Sequence, residues 1–111
     1  MKKATFAPMY VALFPQLSRI AQEHGYALAA HGSVNTDFDL IAIPWIEKAS
    51  EPKDFVKEVA AYLKVLEGTF GTGIDGGPIG DKPHGRIAWK LQLSSGAAID
   101  LSVMPMVKKN E

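Results

Sequence analysis

Two short apolar runs, each containing an aspartate, place the strongest constraint on how this chain can fold. They are FDLIAIPW at residues 38–45 and AAIDLSVMP at residues 97–105. The first is rich in aromatic and β-branched residues and is typical of a buried strand, which Pro44 ends or places at a sheet edge. The second predicts another strand, so the chain must build a sheet around segments that carry acidic residues.

Two further runs predict the partners of these strands. YALAAHGSV at 26–34 is apolar and too short for a helix, and the few residues that separate it from 38–45 suit a hairpin turn. RIAWKLQLSSG begins at residue 86, and its Ser-Ser-Gly predicts a turn into the run at 97–105. The pattern therefore predicts two antiparallel pairs of strands.

Two segments have the apolar spacing of amphipathic helices. The first, at 9–24, contains Pro15, which either kinks the helix or starts its main segment. The second, at 52–67, is the clearest, with one apolar face formed by Phe55, Val59, Tyr62, Leu63 and Leu66. The order helix, strand, strand, helix, loop, strand, strand predicts an α+β domain: a mixed or mostly antiparallel sheet of about four strands, with two main helices on one face.

The segment between the second helix and the later strands is rich in glycine. Residues 68–85 hold seven of the ten glycines and predict a long loop, which is either a flexible connector or a ligand-binding segment. Backbone N–H groups of Gly-rich turns can bind anions, and Lys82 and Arg86 could neutralise phosphate. His84 could contact a phosphate or a base. No GxxxxGK[ST] motif is present, so phosphate-loop ATPase chemistry has no support.

Composition excludes several classes of function. The 111 residues suit one domain spanning 1–111, with 105–111 as a frayed tail, and 47% are hydrophobic. Lys+Arg and Asp+Glu both number 12, which argues against nucleic-acid binding by phosphate neutralisation alone but allows a nucleotide ligand. Without cysteine, disulfides, thiolate metal sites and cysteine nucleophiles are excluded. No apolar run reaches the ~18 residues of a membrane span, and the N-terminus lacks a signal-peptide pattern, so we expect a cytoplasmic protein.

The aspartates are the candidate functional residues. Because alternate side chains of a strand share a face, Asp37 and Asp39 project together, and Asp100 has a similar apolar setting. Acidic residues are poor strand formers and costly to bury alone. If the two strands are neighbours, the three carboxylates converge and hold their charge best around Mg²⁺ or Mn²⁺. Taken alone, Asp37 also fits ordinary hairpin-turn chemistry.

These motifs resemble the nucleotidyltransferase superfamily, which includes polymerase-β-like enzymes and minimal nucleotidyltransferases. The resemblance is carried by Gly32-Ser33, the Asp37-Phe38-Asp39 triplet and the later strand with Asp100. It implies that Asp37 and Asp39 bind metal, while Asp100 completes the site and assists deprotonation of an attacking hydroxyl. It also implies that Gly32 and Ser33 contact nucleotide phosphates. The chain is similar, too, to small phage and prophage proteins that share HGS…DFDLxAxPW and PHGR…IDLSVMP patterns.

The resemblance implies Mg²⁺-dependent transfer of a nucleoside monophosphate from an NTP to an unknown acceptor. The family usually places a longer segment, with a short helix facing the phosphates, after its Gly-Ser pair. Here only Val34, Asn35 and Thr36 intervene before Asp37, which predicts a tight turn. An inactive module that sequesters a nucleotide or signal molecule, or docks on a host or toxin protein, is therefore the alternative. An active enzyme would need a homodimer or a protein partner. A third alternative is a structural protein with salt-bridged aspartates, for example Asp100 with Arg86.

Overall fold

The computed structural model describes residues 5–67, 73–74, 85–93 and 96–106. Its elements, in chain order, are α1 (Ala7–Glu23), β1 (Tyr26–His31), β2 (Asp37–Pro44), α2 (Pro52–Glu67), β3 (Gly73–Ile74), β4 (Ile87–Gln92) and β5 (Ala98–Val103). The predicted α+β class and the predicted element order are confirmed. The two-residue β3 is an addition, because it lies within the segment predicted to be a loop.

The five strands found among the described residues belong to one mixed sheet with the order β1-β2-β5-β4-β3. The pairs β1–β2 and β4–β5 are antiparallel, as the two predicted hairpins require, and β3 is antiparallel to β4. The two hairpins join through β2 and β5, which are parallel. The strands that carry the three aspartates are therefore neighbours at the centre of the sheet.

Both helices pack on one face of this sheet. Tyr10 of α1 stacks on Phe38 of β2 with ring centroids 4.8 Å apart, and Phe55 of α2 stacks on Tyr26 of β1 at 5.1 Å. Phe38 and Tyr26 share a face, because Tyr26 is the register partner of Pro44 in β2. The buried core lies between this face and the helices; its sheet residues include Leu40, Ala42, Trp89, Leu91, Ile99, Leu101 and Val103. The aspartates belong to the other face.

The helices differ from their predicted forms in detail. The first helix begins before the predicted start and continues through Pro15, whose ring removes the hydrogen bond to the Val11 carbonyl. Val11 is 66% exposed, so water can reach that turn. In α2, Phe55, Val59 and Leu63 are buried, as the predicted apolar face requires. Leu66 lines an apolar pocket together with Leu63, so it lies on that face, but it is 54% exposed.

The first hairpin is shorter than its sequence pattern predicted. The first strand ends at His31 rather than at residue 34, because Gly32 (φ +79°) and Val34 (φ +61°) turn the chain. Residues 68–72 and 75–84 of the predicted loop, the serines of the Ser-Ser-Gly turn and the tail from 107 lie outside the described residues. In the part that is described, no helix combines the length and apolar character needed to cross a membrane.

Candidate functional site

The parallel pairing of β2 with β5 sets the positions of the three candidate carboxylates. Its register makes Asp39 the direct partner of Asp100 and Asp37 that of Ala98. Partners in a ladder point to the same side, and Asp37 shares the side of Asp39 because the two are separated by one residue. All three side chains therefore project from the sheet face that is turned away from the helices. Asp37 is exposed, whereas Asp39 and Asp100 are half-buried.

The central pair of carboxylates belongs to a longer row across the sheet. His31 of β1 is the register partner of Asp39, and Lys90 of β4 is the register partner of Asp100. Adjacent strands lie about 4.8 Å apart, so the row reads His31, Asp39, Asp100, Lys90 in steps of about that size. The sequence did not identify Lys90, because only the pairing of β4 with β5 places it beside Asp100.

The Gly-Ser pair forms a tight turn against Asp39. Gly32 has φ +79°, and a Cβ at this position would lie 2.7 Å from Asp39 Oδ2. Both the backbone conformation and the approach of the carboxylate therefore require glycine. Val34 has φ +61°, which is a strained conformation for a β-branched residue. Residues 32–36 contain no helix, so the expected tight turn is confirmed and no helix N-terminus faces the carboxylates from this turn.

Contacts with the start of α1 hold this turn in place. The backbone N–H of Phe6 donates to the Asn35 carbonyl at 3.1 Å, and the Thr5 hydroxyl lies 3.4 Å from the same oxygen. Within the turn, the N–H of Asn35 donates to Ser33 Oγ at 3.4 Å. Ser33 is exposed and near the carboxylate row, but its hydroxyl is engaged locally in the turn.

Tyr10 is a further residue of this region, and the sequence motifs did not identify it. Its buried hydroxyl donates to the Thr36 carbonyl at 2.6 Å and accepts a hydrogen bond from the Ala98 N–H at 3.1 Å. Thr36 precedes Asp37, and Ala98 is the partner of Asp37, so one hydroxyl ties together the starts of both carboxylate strands. The position of Tyr10 in the apolar stripe of α1 could have indicated this role. A tyrosine on that stripe is buried, and a buried tyrosine hydroxyl needs a hydrogen-bond partner.

The environment of Tyr10 also links it electrostatically to the carboxylates. Burial raises the pKa of Tyr10 above its ordinary value of 10.0, and the negative charges of Asp37 and Asp39 raise it further. The backbone hydrogen bond with Ala98 opposes this change and lowers the pKa. The net direction is upward, so the hydroxyl stays protonated and keeps its donor role at neutral pH.

The donor set suits a hard cation, but the side chains do not form a ready-made cage. Carboxylate oxygens are the ligands that Mg²⁺ and Mn²⁺ prefer, and the register puts three carboxylates on one face. Among the described residues, however, no group of three or more His, Cys, Asp or Glu is placed to hold a metal ion. Oδ2 of Asp39 is turned towards Gly32 and lies 2.7 Å from where a Cβ of residue 32 would stand. Metal binding by all three residues would therefore require a change of side-chain rotamers.

Of the residues predicted to bind phosphate from the Gly-rich segment, the structure describes only Arg86. Lys82 and His84 lie outside the described residues. Arg86 is half-buried and donates from Nη1 to Ser102 Oγ at 2.7 Å. Ser102 follows Asp100 by two residues, so this hydroxyl is on the carboxylate face. No ion pair between Arg86 and Asp100 occurs in the described part of the chain, so the salt bridge considered from the sequence is not formed there.

The described residues also line pockets away from the carboxylate row. One, of about 370 Å³, opens where β5 ends and α2 begins, beside Tyr26, Ser50, Pro52, Met104 and Pro105. Another, of about 360 Å³, is an apolar groove between α1 and the first hairpin. Neither is lined by a predicted site residue, so they contribute nothing to the chemistry considered for the aspartates.

Comparison with known proteins finds no matching family model, no matching curated protein and no matching solved structure. Membership of the nucleotidyltransferase superfamily therefore stays a prediction from the sequence motifs. The function must be inferred from the chain's own residues and from their arrangement.

Proposed function

We propose that this chain is a nucleotidyltransferase-type domain that transfers a nucleoside monophosphate from an NTP to a hydroxyl or other acceptor, with Mg²⁺ or Mn²⁺. One observation carries the proposal: the parallel register that pairs Asp39 with Asp100 and sets Asp37 on the same face. In the proposal these three carboxylates hold the metal. The acceptor and its binding surface would come from a protein partner or a second copy, in the cytoplasm.

The chemistry follows from the residue types. The acceptor oxygen attacks the α-phosphorus, the bond from that phosphorus to the bridging oxygen of the β-phosphate breaks, and pyrophosphate leaves. Asp100 accepts the proton of the attacking hydroxyl, and Arg86, with Lys82, His84 and the Gly32-Ser33 turn, holds the polyphosphate. A bound divalent cation would supply Lewis-acid stabilisation of the phosphate charge. Most of the catalysis would come from positioning and electrostatics.

Isothermal titration of Mn²⁺ and a non-hydrolysable NTP tests the proposal. The wild type should bind the nucleotide only when Mn²⁺ is present, and Asp39→Asn should abolish this binding because it removes a charged ligand without changing the side chain's size. Asp54→Asn is the matched control, because Asp54 is an exposed carboxylate in the first turn of α2. It should bind like the wild type. A folded wild type that binds neither Mn²⁺ nor the nucleotide would refute the proposal.

A second candidate is a nucleotide-binding module without transferase activity. It is favoured by the five-residue turn at 32–36, which has no helix and so provides no helix N-terminus for the phosphates. Such a module would sequester a nucleotide or signal molecule, or dock on a host or toxin protein. Incubation with radiolabelled NTPs, Mn²⁺ and an acceptor screen separates the two candidates. Bound but unchanged nucleotide supports the module, and a labelled product supports the transferase.

A further inference from the structure

Two cationic side chains lie beside the carboxylates: Lys90 belongs to β4, and Arg86 immediately precedes that strand. Lys90 is the register partner of Asp100, and Ala88 is the register partner of Ser102. Alternation places Arg86, which immediately precedes β4, on this same face, and its guanidinium reaches the Ser102 hydroxyl at 2.7 Å. On the carboxylate face, the acidic residues of the central strands β2 and β5 are therefore flanked on the β4 side by two basic residues. We call Arg86 and Lys90 the β4 cation pair.

The β4 cation pair has no direct ion-pair contact with the carboxylates described beside it. In the described part of the chain, no ion pair joins Arg86 or Lys90 to Asp39 or Asp100. Both cations are half-buried. Removing a charged side chain from water costs free energy unless an opposite charge lies beside it. Ala88, which lies between them, is 2% exposed and has no long side chain to separate them. The Cα atoms of Arg86 and Lys90 are about 13 Å apart along the strand, a distance that two long side chains can span with an elongated anion.

We propose that the β4 cation pair binds the polyphosphate chain of the nucleotide, with Lys90 as a phosphate-binding residue beside Asp100. This inference rests on the proposed function and deepens it. The turn at 32–36 offers no helix N-terminus, so the negative charge of the phosphates needs another counterpart. From β2 to β4 the distance across β5 is about 10 Å, which lets one ligand contact the carboxylates at one end and the cations at the other. Arg86 provides a planar fork for phosphate oxygens, and Lys90 provides a point charge.

Titration of inorganic tripolyphosphate into Asp39→Asn/Asp100→Asn, without metal, tests the pair directly. The two amides keep the size of the side chains, remove two of the three proposed metal ligands and abolish the repulsion between these two carboxylates and phosphate. The cations remain, so this double variant should bind tripolyphosphate. Adding Lys90→Met should weaken that affinity at least about tenfold, because a hydrogen-bonded charge pair is lost. Lys57→Met, on the exposed side of α2, is the control and should leave the affinity unchanged.

The outcomes test the β4 cation pair and the proposed transferase separately. A folded double variant that binds no tripolyphosphate, or one whose affinity is the same with Lys90→Met, overturns the inference. If the anion binds through Lys90 but the wild type binds no Mn²⁺ and no nucleotide, polyphosphate binding by the β4 cation pair stands, but the nucleotide as its ligand and the proposed transferase both fail. If the wild type shows metal-dependent nucleotide binding that Lys90→Met does not change, the transferase stands and the pair fails. Circular dichroism of every variant verifies that it is folded.

Discussion

The Tyr10 hydroxyl accepts a hydrogen bond from the Ala98 backbone N–H at 3.1 Å, across 88 positions of sequence. The same hydroxyl donates to the Thr36 carbonyl at 2.6 Å, so a single side chain of α1 bridges the starts of β2 and β5. These are the parallel strands that carry Asp37, Asp39 and Asp100. The position of the candidate site is therefore coupled to the packing of the first helix.

Tyr10→Phe should lower the free energy of unfolding by about 1–3 kcal/mol, because it leaves the buried Ala98 N–H and the Thr36 carbonyl without this partner. The ring would still stack on Phe38, so the core should remain intact. Urea unfolding measures the change. Tyr62→Phe, at a half-buried tyrosine of α2, is the control and should change the free energy little. Equal effects of the two substitutions would contradict the bridging role.

Alkaline pH should destabilise the fold through Tyr10 and Tyr26. Burial is the main cause that raises both pKa values above 10.0, and the charges of nearby carboxylates add to it. Above about pH 10 the unfolded tyrosines release protons that the folded ones retain, so the free energy of unfolding falls as pH rises towards the folded pKa values. Urea unfolding between pH 8 and pH 11 should show this fall, and Tyr10→Phe should make it shallower. A slope that Tyr10→Phe leaves unchanged would exclude Tyr10 as a source.

Gly32→Ala should be more destabilising than Gly96→Ala. Both glycines have positive φ, +79° and +92°, so alanine is strained at either position. Only at residue 32 does the new Cβ meet a neighbour, Asp39 Oδ2 at 2.7 Å, whereas nothing lies within 4 Å at residue 96. The difference in unfolding free energy between the two variants, about 1 kcal/mol or more, measures the displacement of Asp39. Similar losses in both variants would show that Asp39 moves aside at no cost.

Neutralising one central carboxylate should stabilise the metal-free protein. Asp39 and Asp100 are directly opposed, and like charges across a ladder are destabilising by about 0.2–1 kcal/mol. Asp39→Asn and Asp100→Asn should therefore each raise the free energy of unfolding at pH 7 in the absence of divalent cations. Either substitution removes the repulsion, so the double variant should gain less than the sum of the single variants. Strict additivity in this double-mutant cycle would indicate that the two side chains do not interact.

Much of the local structure was predictable from the sequence. The bounds of α2 followed from Pro52 and its apolar spacing, and the two hairpins followed from short connections between strand-like runs. The shared face of Asp37 and Asp39 followed from strand alternation alone. Signals of this kind depend on residues close together in the chain, so they are visible before any tertiary contact is known. The end of β1 was misplaced because Val34 adopts a positive φ that its residue type disfavours.

The amino-acid sequence by itself determined the elements of this protein, its hairpins and which side chains of a strand face the same way. Only the tertiary structure decided that β2 pairs in parallel with β5, which sets Asp39 opposite Asp100 and, through β4, Lys90 beside them. That pairing joins segments about 60 residues apart, and its free energy comes from burying Phe38, Leu40, Ile99 and Leu101 under the helices together with the Tyr10 bridge. No local propensity encodes such a contact, because the energy that selects the register exists only once the core has formed.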